Sequence, residues 1–439
     1  MGQKRVALES LGCKLNYAET IQIEKEFRRR GFDVVSATDP ADVVVINTCT
    51  VTRSADSDCR QFVRRALRNS PDAYVIVTGC YAQGKPEEVA QIEGVSLVLG
   101  SREKFHLFDY VDGFTKASGD LAANYHARVF AGPIEEAVEF GAADSAAEGS
   151  RTRAFLKIQD GCDFNCTYCT IPSVRGKSRS PSIASLVEEA KRIADRGFRE
   201  IVLSGVNVGD FSVDGRHALL DLLMSLEKVE GISRLRVSSI EPNLLTKDLI
   251  DFVLGSGKFC NHFHIPLQSG VDELLRKMRR RYNTKQYQDT INYIHEVCPD
   301  AGIGADVIVG FPGETNEAFE QSYVFIERLP VTYLHVFTYS ERDGTPAAGL
   351  QSHVDPRVRR KRSEILRMLS FRKRYEFNRR HVGKIASVLV EEEVKNGKVF
   401  GFSPNYIRVE MDAGTARFNE VTDVLINGVS DSTVIGQVI

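Results

Sequence analysis

Asp160-Gly161-Cys162-Asp163-Phe164-Asn165-Cys166-Thr167-Tyr168-Cys169 decides how this chain is read, because it places three cysteines, spaced Cys-x3-Cys-x2-Cys, within eight residues. A structural zinc site takes four ligands, usually as paired Cys-x2-Cys arms, and no second arm follows. Three thiolates suit a four-iron cluster better, since cysteines hold such cubanes and the fourth iron can stay open for a substrate. The bland alternative is three unligated thiols on one loop, and reactive cysteines rarely crowd so closely without a metal. The chain has nine cysteines, at 13, 49, 59, 80, 162, 166, 169, 260 and 298. An odd number, spread through 439 residues that open without an apolar export signal, argues against a disulfide framework.

Working outward, strands are expected at Phe155 to Ile158, Glu200 to Leu203, Leu235 to Ser238, His262 to Leu267, Ala305 to Val309 and Tyr333 to Tyr339. Helical patterns such as Ile183 to Ala194 and Leu274 to Met278 separate them. Six strand-helix units predict an incomplete version of the eight-unit barrel, with working residues on the loops after the strands. The triplet lies on the first such loop. Ser204-Gly205-Val206-Asn207, Ser239-Ile240-Glu241-Pro242, Gln268-Ser269-Gly270 and Gly310 to Thr315 supply the others, although a glycine turn by itself is equally well only a turn.

Upstream, strands at Arg5 to Ser10, Asp42 to Asn47 and Ala73 to Thr78 alternate with helices over Tyr17 to Arg30, capped by Asn16, and over Ala55 to Arg68. That alternation predicts a doubly wound parallel sheet. Cys13, Cys49 and Cys80 each follow a different strand, so all three fall along the carboxyl edge of the sheet, where ligands bind. A second three-thiolate site follows. Cys59, inside the second helix, reads as a small buried apolar side chain.

Residues 133–150 carry five acids and no base and read as a solvated connection. Between 356 and 381 eleven bases face two acids. That stretch reads either as a docked helix with Leu366, Leu369, Phe371 and Tyr375 on its apolar side or as a phosphate-binding face. Short strands after Gly383 predict a small five-stranded barrel of a kind often used to hold RNA; an adaptor role fits the same fold. Fifty-seven bases against fifty-nine acids give a net charge of −2, so any nucleic-acid contact must be local. The longest apolar runs, Val43 to Ile46 and Val75 to Val77, fall far short of the roughly 20 residues that cross a bilayer. No membrane segment and a cytoplasmic location are expected.

Leu11-Gly12-Cys13-Lys14-Leu15-Asn16, Ile46 to Thr52, Thr78 to Gln83, the 162–169 triplet, His264 to Gly270 and Gly310 to Thr315 occur in an order that resembles the radical S-adenosylmethionine (SAM) methylthiotransferases. The resemblance spans nearly the whole chain. It implies an amino-terminal methylthiotransferase domain over 1–115, a linker over 116–149, a radical SAM partial (β/α)6 barrel with the trailing basic stretch over 150–378, and a TRAM RNA-binding barrel over 379–439. It further implies two [4Fe-4S] clusters. Cys162, Cys166 and Cys169 would hold the one that binds SAM, and Cys13, Cys49 and Cys80 the auxiliary one. One SAM would give a 5′-deoxyadenosyl radical and a second the methyl group, with sulfur coming by way of the auxiliary cluster. Tyr168 is expected against the adenine, and Gly205, Asn207, Glu241, Gln268 and Asp306 as SAM or substrate contacts. For Asp306 a hydrogen-bonded strand carboxylate is the competing reading.

The family's branches modify isopentenyl-adenosine in tRNA, threonylcarbamoyl-adenosine in tRNA, or an aspartate of a ribosomal protein. Residues 12–16, 175–180 and 405–409 most resemble the threonylcarbamoyl branch. Arg175, Lys177 and Arg179 are then expected to grip phosphate or the substrate's carboxylate. Expected partners are a tRNA anticodon stem-loop, an electron donor such as flavodoxin or ferredoxin, and a sulfur source. A non-enzymatic iron-sulfur RNA-binding protein is the contrasting reading, which an open iron on the first barrel loop disfavours.

Overall fold

The computed structural model describes residues 3–50, 53–111, 113–115, 127–147 and 151–439, with 53–55 as backbone only. The amino-terminal sheet contains β1 (Arg5–Ser10), β2 (Asp33–Val35), β3 (Val43–Thr48), β4 (Tyr74–Gly79), β5 (Val95–Leu99) and β6 (Arg128–Phe130), all parallel, in the order β2-β1-β3-β4-β5-β6. β3 and β4 are buried throughout, covered on both faces, which is why they read as unbroken apolar runs. Strand order reverses between β1 and β3, and such a switch point opens a crevice at the carboxyl edge. Helices α1 (Lys14–Arg29), α2 (Arg53–Asn69), α3 (Cys80–Gly84) and α4 (Pro86–Ala90) connect the strands.

Two expectations need correction. Asn16 does not cap α1, whose N-cap is Cys13 without a side-chain cap bond. Asn16 is fully buried and its amide donates to the carbonyls of Leu11 and Thr48, tying the loop after β1 to the end of β3. Nor is the acidic stretch a free connection. β6 joins the sheet beside β5, and Asp144 is buried against Lys25 at 2.7 Å and Arg196 at 3.3 Å. Its partners lie more than fifty residues away in both directions along the chain, so local composition could not reveal them.

The central unit begins with β7 (Ala154–Lys157), followed by α5 (Ile171–Arg175), α6 (Ile183–Asp195) and β8 (Glu200–Ser204). A small hairpin, β9 (Ser212–Val213) and β10 (Arg216–His217), leads to α7 (Leu219–Glu227), β11 (Arg234–Val237), α8 (Lys247–Gly255) and β12 (His262–His264). Next come α9 (Asp272–Lys277), α10 (Thr284–Val297), β13 (Gly302–Val309), α11 (Asn316–Arg328) and β14 (Tyr333–Thr338). Two parallel three-stranded sheets, β11-β8-β7 and β12-β13-β14, join through parallel bridges Leu235↔Phe259 and Ser239↔His264. The result is a six-stranded open arc, the expected partial barrel, filled by one large apolar core.

Helix α12 (Pro356–Arg379) lies along β14. Leu366 and Leu369 face inward, but Phe371 and Tyr375 point out, 45% and 40% exposed. Two of the eleven bases are buried instead: Arg359 holds Glu341 at 2.6 Å and Arg362 holds Glu314 at 2.7 Å. Arg357, Arg360, Lys361, Arg367, Arg379 and Arg380 are left exposed. The chain ends in β15 (Ile385–Lys395), β16 (Lys398–Phe402), β17 (Arg408–Asp412), β18 (Val421–Ser430) and β19 (Thr433–Val438), a closed barrel. Arg234 and Arg236 of β11 dock it, donating to the carbonyls of Phe402, Ser387 and Pro404 at 2.8 to 2.9 Å.

Candidate active site

The loop after β7 is built tightly. Gly161 has φ +69°, and a Cβ there would fall 1.9 Å from the Lys177 carbonyl, so no other residue fits without moving backbone. The Cys162 amide donates to the Gly176 carbonyl, and the Phe164 and Ile171 amides donate to the sulfurs of Cys162 and Cys169. Arg280 donates to Cys166 Sγ at 3.1 Å and to the Tyr168 hydroxyl at 3.3 Å, and its other arm grips Glu241. Burial pushes the Cys162 thiol up to about 12 and that of Cys169 up to about 11. Free nucleophilic cysteines show the opposite shift, whereas a metal deprotonates a thiol outright.

The second trio gathers from three strand ends. Cys13 follows β1, Cys49 follows β3 and Cys80 opens α3 after β4, three strands adjacent in the sheet and spanning its switch point. At Gly12, φ is +126° and a Cβ would lie 2.5 Å from Cys49 Cβ, so these loops touch. Arg342, from the loop after β14, holds Asp56 at 2.9 Å and also reaches Thr50, securing the Cys49 loop against the barrel. Among the described residues neither trio holds its three sulfurs within 4.8 Å of one another. A tetrahedral zinc with bonds near 2.3 Å needs sulfurs about 3.8 Å apart. Each trio offers three cysteines, which suits a cluster whose thiolates bond different irons.

Arg175 joins the two trios. It lies six residues after Cys169 (175 − 169), yet its Nε donates to Cys80 Sγ at 3.2 Å. Its other nitrogens reach Asn16 at 2.7 Å and Glu19 and Asp160 at 3.0 Å. Lys104 and Lys157 also hold Glu19, at 2.6 and 2.9 Å. Burial alone would raise Glu19, but Arg175, Lys104 and Lys157 outweigh it and hold the carboxylate well below its usual range. This overturns the expectation that Arg175 grips substrate: its guanidinium is buried and fully engaged. Arg179 is likewise occupied, by Asp160 and by the carbonyls of Glu139, Arg175 and Lys177. Lys177 is exposed.

At the barrel mouth, Asn207 is buried and, among the described residues, neither end of its carboxamide has a hydrogen-bond partner. A buried amide left so is costly, and a polar ligand would satisfy it. Gly205 sits beside Gln159, which accepts from the Asn207 backbone amide. Gln268 adopts φ +67° and pairs with β13 through its backbone. Asp306 accepts from His264 at 2.9 Å and His335 at 3.2 Å, assigned to a ring nitrogen in each case. The trio of His264, Asp306 and His335 has the close spacing that the cysteines lack. Aromatic rings run from it to the carboxy-terminal barrel: His335 and Tyr333 at 5.2 Å, then Tyr333 and His262 at 6.2 and 4.6 Å from Tyr406.

Tyr406 is held at φ +68° and stacks on Phe402 at 4.8 Å. Arg236 lies 5.0 Å and Arg153 5.8 Å from its ring. Burial pushes the phenol up, but Arg153, Lys14 and Arg236 outweigh it and leave it below its ordinary value. Two parts of the chain meet here: barrel strand β11, through Arg236, and the carboxy-terminal barrel.

Sequence reasoning missed Arg280, Arg342, Arg153 and Arg236. Arg280 alone carried a signal, the run Arg279-Arg280-Arg281 between α9 and α10.

The sequence pattern of the Radical SAM superfamily matches residues 156–326, and that of Uncharacterized protein family UPF0004 matches residues 5–100. A threonylcarbamoyladenosine tRNA methylthiotransferase of Aquifex aeolicus is 37% identical over 96% of this chain and 100% of its own. Its Bacillus subtilis counterpart is 38% identical over 92% and 89%. A tRNA-2-methylthio-N(6)-dimethylallyladenosine synthase of Akkermansia muciniphila is 29% identical over 98% of both. Among solved structures, the radical S-adenosylmethionine methyltransferase TsrM of Kitasatospora setae superposes with TM-score 0.56 at 15% identity, covering 79% of this chain and 75% of that one; it shares the fold.

Proposed function

The chain belongs to the radical SAM tRNA methylthiotransferases, and from that membership we propose that it methylthiolates carbon 2 of threonylcarbamoyl-adenosine beside the anticodon of tRNA. It is an enzyme that uses SAM and [4Fe-4S] clusters. The observation that carries the choice of base is the match, at 37% and 38% over nearly the full chain, to relatives named for threonylcarbamoyl-adenosine, against 29% to 31% for relatives named for the dimethylallyl base.

In this reading Cys162, Cys166 and Cys169 hold the SAM cluster, and Cys13, Cys49 and Cys80 the auxiliary one. When bound, these groups supply the radical, the sulfur and, from a second SAM, the methyl group. Arg280 orients Cys166 and Tyr168, with Glu241 fixing the guanidinium. The orphaned Asn207 amide, with Gly205 and Gln268, receives the polar part of SAM. Phe311, Tyr339, Met278 and Leu274 pack under Tyr168 and keep water from that side. Asp306, steadied by two histidines, faces the substrate. The anticodon stem-loop lies against the exposed bases of α12 and the small barrel, and the modified base leaves its stack to reach the site. A donor such as flavodoxin or ferredoxin supplies electrons, and a separate source renews the sulfur.

Nucleoside mass spectrometry of tRNA from a strain lacking this gene tests the reading. Methylthio-threonylcarbamoyl-adenosine should vanish while methylthio-isopentenyl-adenosine persists; unchanged levels of the former sink the assignment.

A further inference from the structure

We propose that His335 is the residue that distinguishes the base to be modified, through a hydrogen bond to a carboxylate on its N6 group; this rests on the assignment of threonylcarbamoyl-adenosine above. Alternation along the strands decides which way the side chain points. Phe263 of β12, Ala305 and Val307 of β13, and Leu334 and Val336 of β14 belong to the apolar core that the strands share with their helices. The intervening residues, His264, Asp306 and His335, therefore face the concave side of the arc. They lie in one row, because β12, β13 and β14 are adjacent and parallel, with Asp306 directly opposite His335. Gly304, on the same face of β13, leaves room for the Tyr333 ring, whose Cζ would fall 2.3 Å from a Cβ there. Tyr333 thus lies across the strand below the row. With His262 at 2.9 Å from its hydroxyl, and both side chains buried, it closes the floor of a recess.

The row itself is only half satisfied. Asp306 Oδ1 accepts from His264 Nε2 at 2.9 Å and from His335 Nδ1 at 3.2 Å. The second contact fixes the His335 ring, whose other nitrogen, Nε2, has no hydrogen-bond partner among the described residues. The side chain is 49% exposed, so that nitrogen is open to a ligand. The same spacing would admit a divalent cation. A histidine that ligates a metal normally donates from its second nitrogen to an outer acceptor, however, and neither His264 nor His335 has one among the described residues. What the ring offers instead is a donor. An imidazolium with Nδ1–H on Asp306 and Nε2–H on a second carboxylate is a cation between two anions, and both bonds are charge-assisted.

Position connects this recess to the chemistry. Gly310 follows β13, four residues beyond Asp306 (310 − 306), or about 13 Å of extended chain. The next residue, Phe311, packs on Tyr168 of the 162–169 loop with ring centroids 6.4 Å apart. Arg342 lies seven residues beyond His335 (342 − 335) and holds Asp56 and Thr50 beside Cys49. The recess therefore sits below the loops of both cysteine trios. In adenine, carbon 2 and the N6 group flank the same ring nitrogen, so a base that presents carbon 2 to those loops carries its N6 group alongside. A threonylcarbamoyl group brings a carboxylate to Nε2. An isopentenyl group brings only hydrocarbon and leaves the donor unpaired, and sites built around a hydrogen bond reject such analogues strongly.

The test is equilibrium binding by fluorescence anisotropy, using anaerobically reconstituted full-length protein and three synthetic anticodon stem-loops. These carry threonylcarbamoyl-adenosine, its carboxyl methyl ester, or unmodified adenosine. Wild type should bind the free acid about tenfold tighter than the ester, the value of one hydrogen bond to a charged group. His335→Phe, which keeps a ring and removes its nitrogens, should bring that ratio to about one. An undiminished ratio in His335→Phe would overturn the proposal, as would wild type that binds acid and ester equally. A loss of affinity that is the same for all three RNAs would identify a backbone-phosphate or purely structural role and overturn it too. His335→Gln, which keeps only a neutral donor, should also narrow the ratio, and it decides the matter if His335→Phe fails to retain its clusters. Wild type that does not methylthiolate the threonylcarbamoyl RNA would remove the parent assignment and the subsite together. With turnover intact, equal binding of acid and ester removes the subsite alone.

Discussion

The two cysteine trios use the same ligand type but are assembled by opposite means. Cys162, Cys166 and Cys169 lie on one loop, and local geometry suffices: a glycine that admits no Cβ, amides aimed at two sulfurs, one arginine at the third. Cys13, Cys49 and Cys80 become neighbours only because β1, β3 and β4 are adjacent in a parallel sheet. The first site is thus a property of a loop and the second a property of a fold. Each has one arginine on one cysteine sulfur, but Arg280 answers to a single carboxylate while Arg175 belongs to a buried charge network spanning two domains.

The largest effects separate the trios outright. Cys162→Ala should abolish SAM cleavage and leave the auxiliary cluster, whereas Cys13→Ala or Cys49→Ala should remove the auxiliary cluster and leave SAM cleavage, read by iron content and product analysis. Iron content and methylthiolation that survive the latter substitutions would break the sheet-edge account.

Next in size is Glu19→Ala, which strands Lys104, Lys157 and Arg175 without their shared carboxylate. Removing one partner of a buried ion group costs about 3 to 5 kcal/mol, measurable by denaturant unfolding of the apoprotein. The same network sets a pH dependence. Glu19 and Asp160 are held below their unfolded values, so their contribution is present above about pH 4 and is lost as pH falls through the folded values. Acid titration of stability should show this loss in wild type and a smaller one in Glu19→Ala.

A finer test exchanges the arginines. Hydrogen bonds to cluster sulfurs raise reduction potentials, so Arg280→Met should lower the midpoint of the SAM-site cluster alone, and Arg175→Met that of the auxiliary cluster alone, each by about 1 to 2 kcal/mol. Spectroscopic redox titration resolves the two. The smallest effect belongs outside both sites. Arg367→Gln on the exposed face of α12 should weaken binding of modified and unmodified stem-loops alike and reduce the salt slope by about one.

What was legible in the sequence follows the same divide. The 162–169 loop could be read directly because its ligands are contiguous. The other trio could be placed because apolar strands alternating with helices fix a parallel order and a shared edge. Arg175 was misread because charge beside a cluster loop looks like a substrate grip until its partners, Glu19 and Cys80, are brought from ninety or more residues away. Asn16 has the side chain of a good cap, yet tertiary contacts claimed it. β6 is three residues long beside an acidic run, too short for periodicity to register. Phe371 and Tyr375 were expected inward on helical spacing, but β14 covers only the side of α12 that carries Leu366 and Leu369.

The most direct measurement is iron stoichiometry with cluster spectroscopy on anaerobically reconstituted wild type and on two triple variants, one lacking Cys13, Cys49 and Cys80, the other lacking Cys162, Cys166 and Cys169. About eight irons per chain are predicted for wild type and about four for each variant, with only the first variant still cleaving SAM. Four irons in wild type, or eight in either variant, would contradict the two-site account.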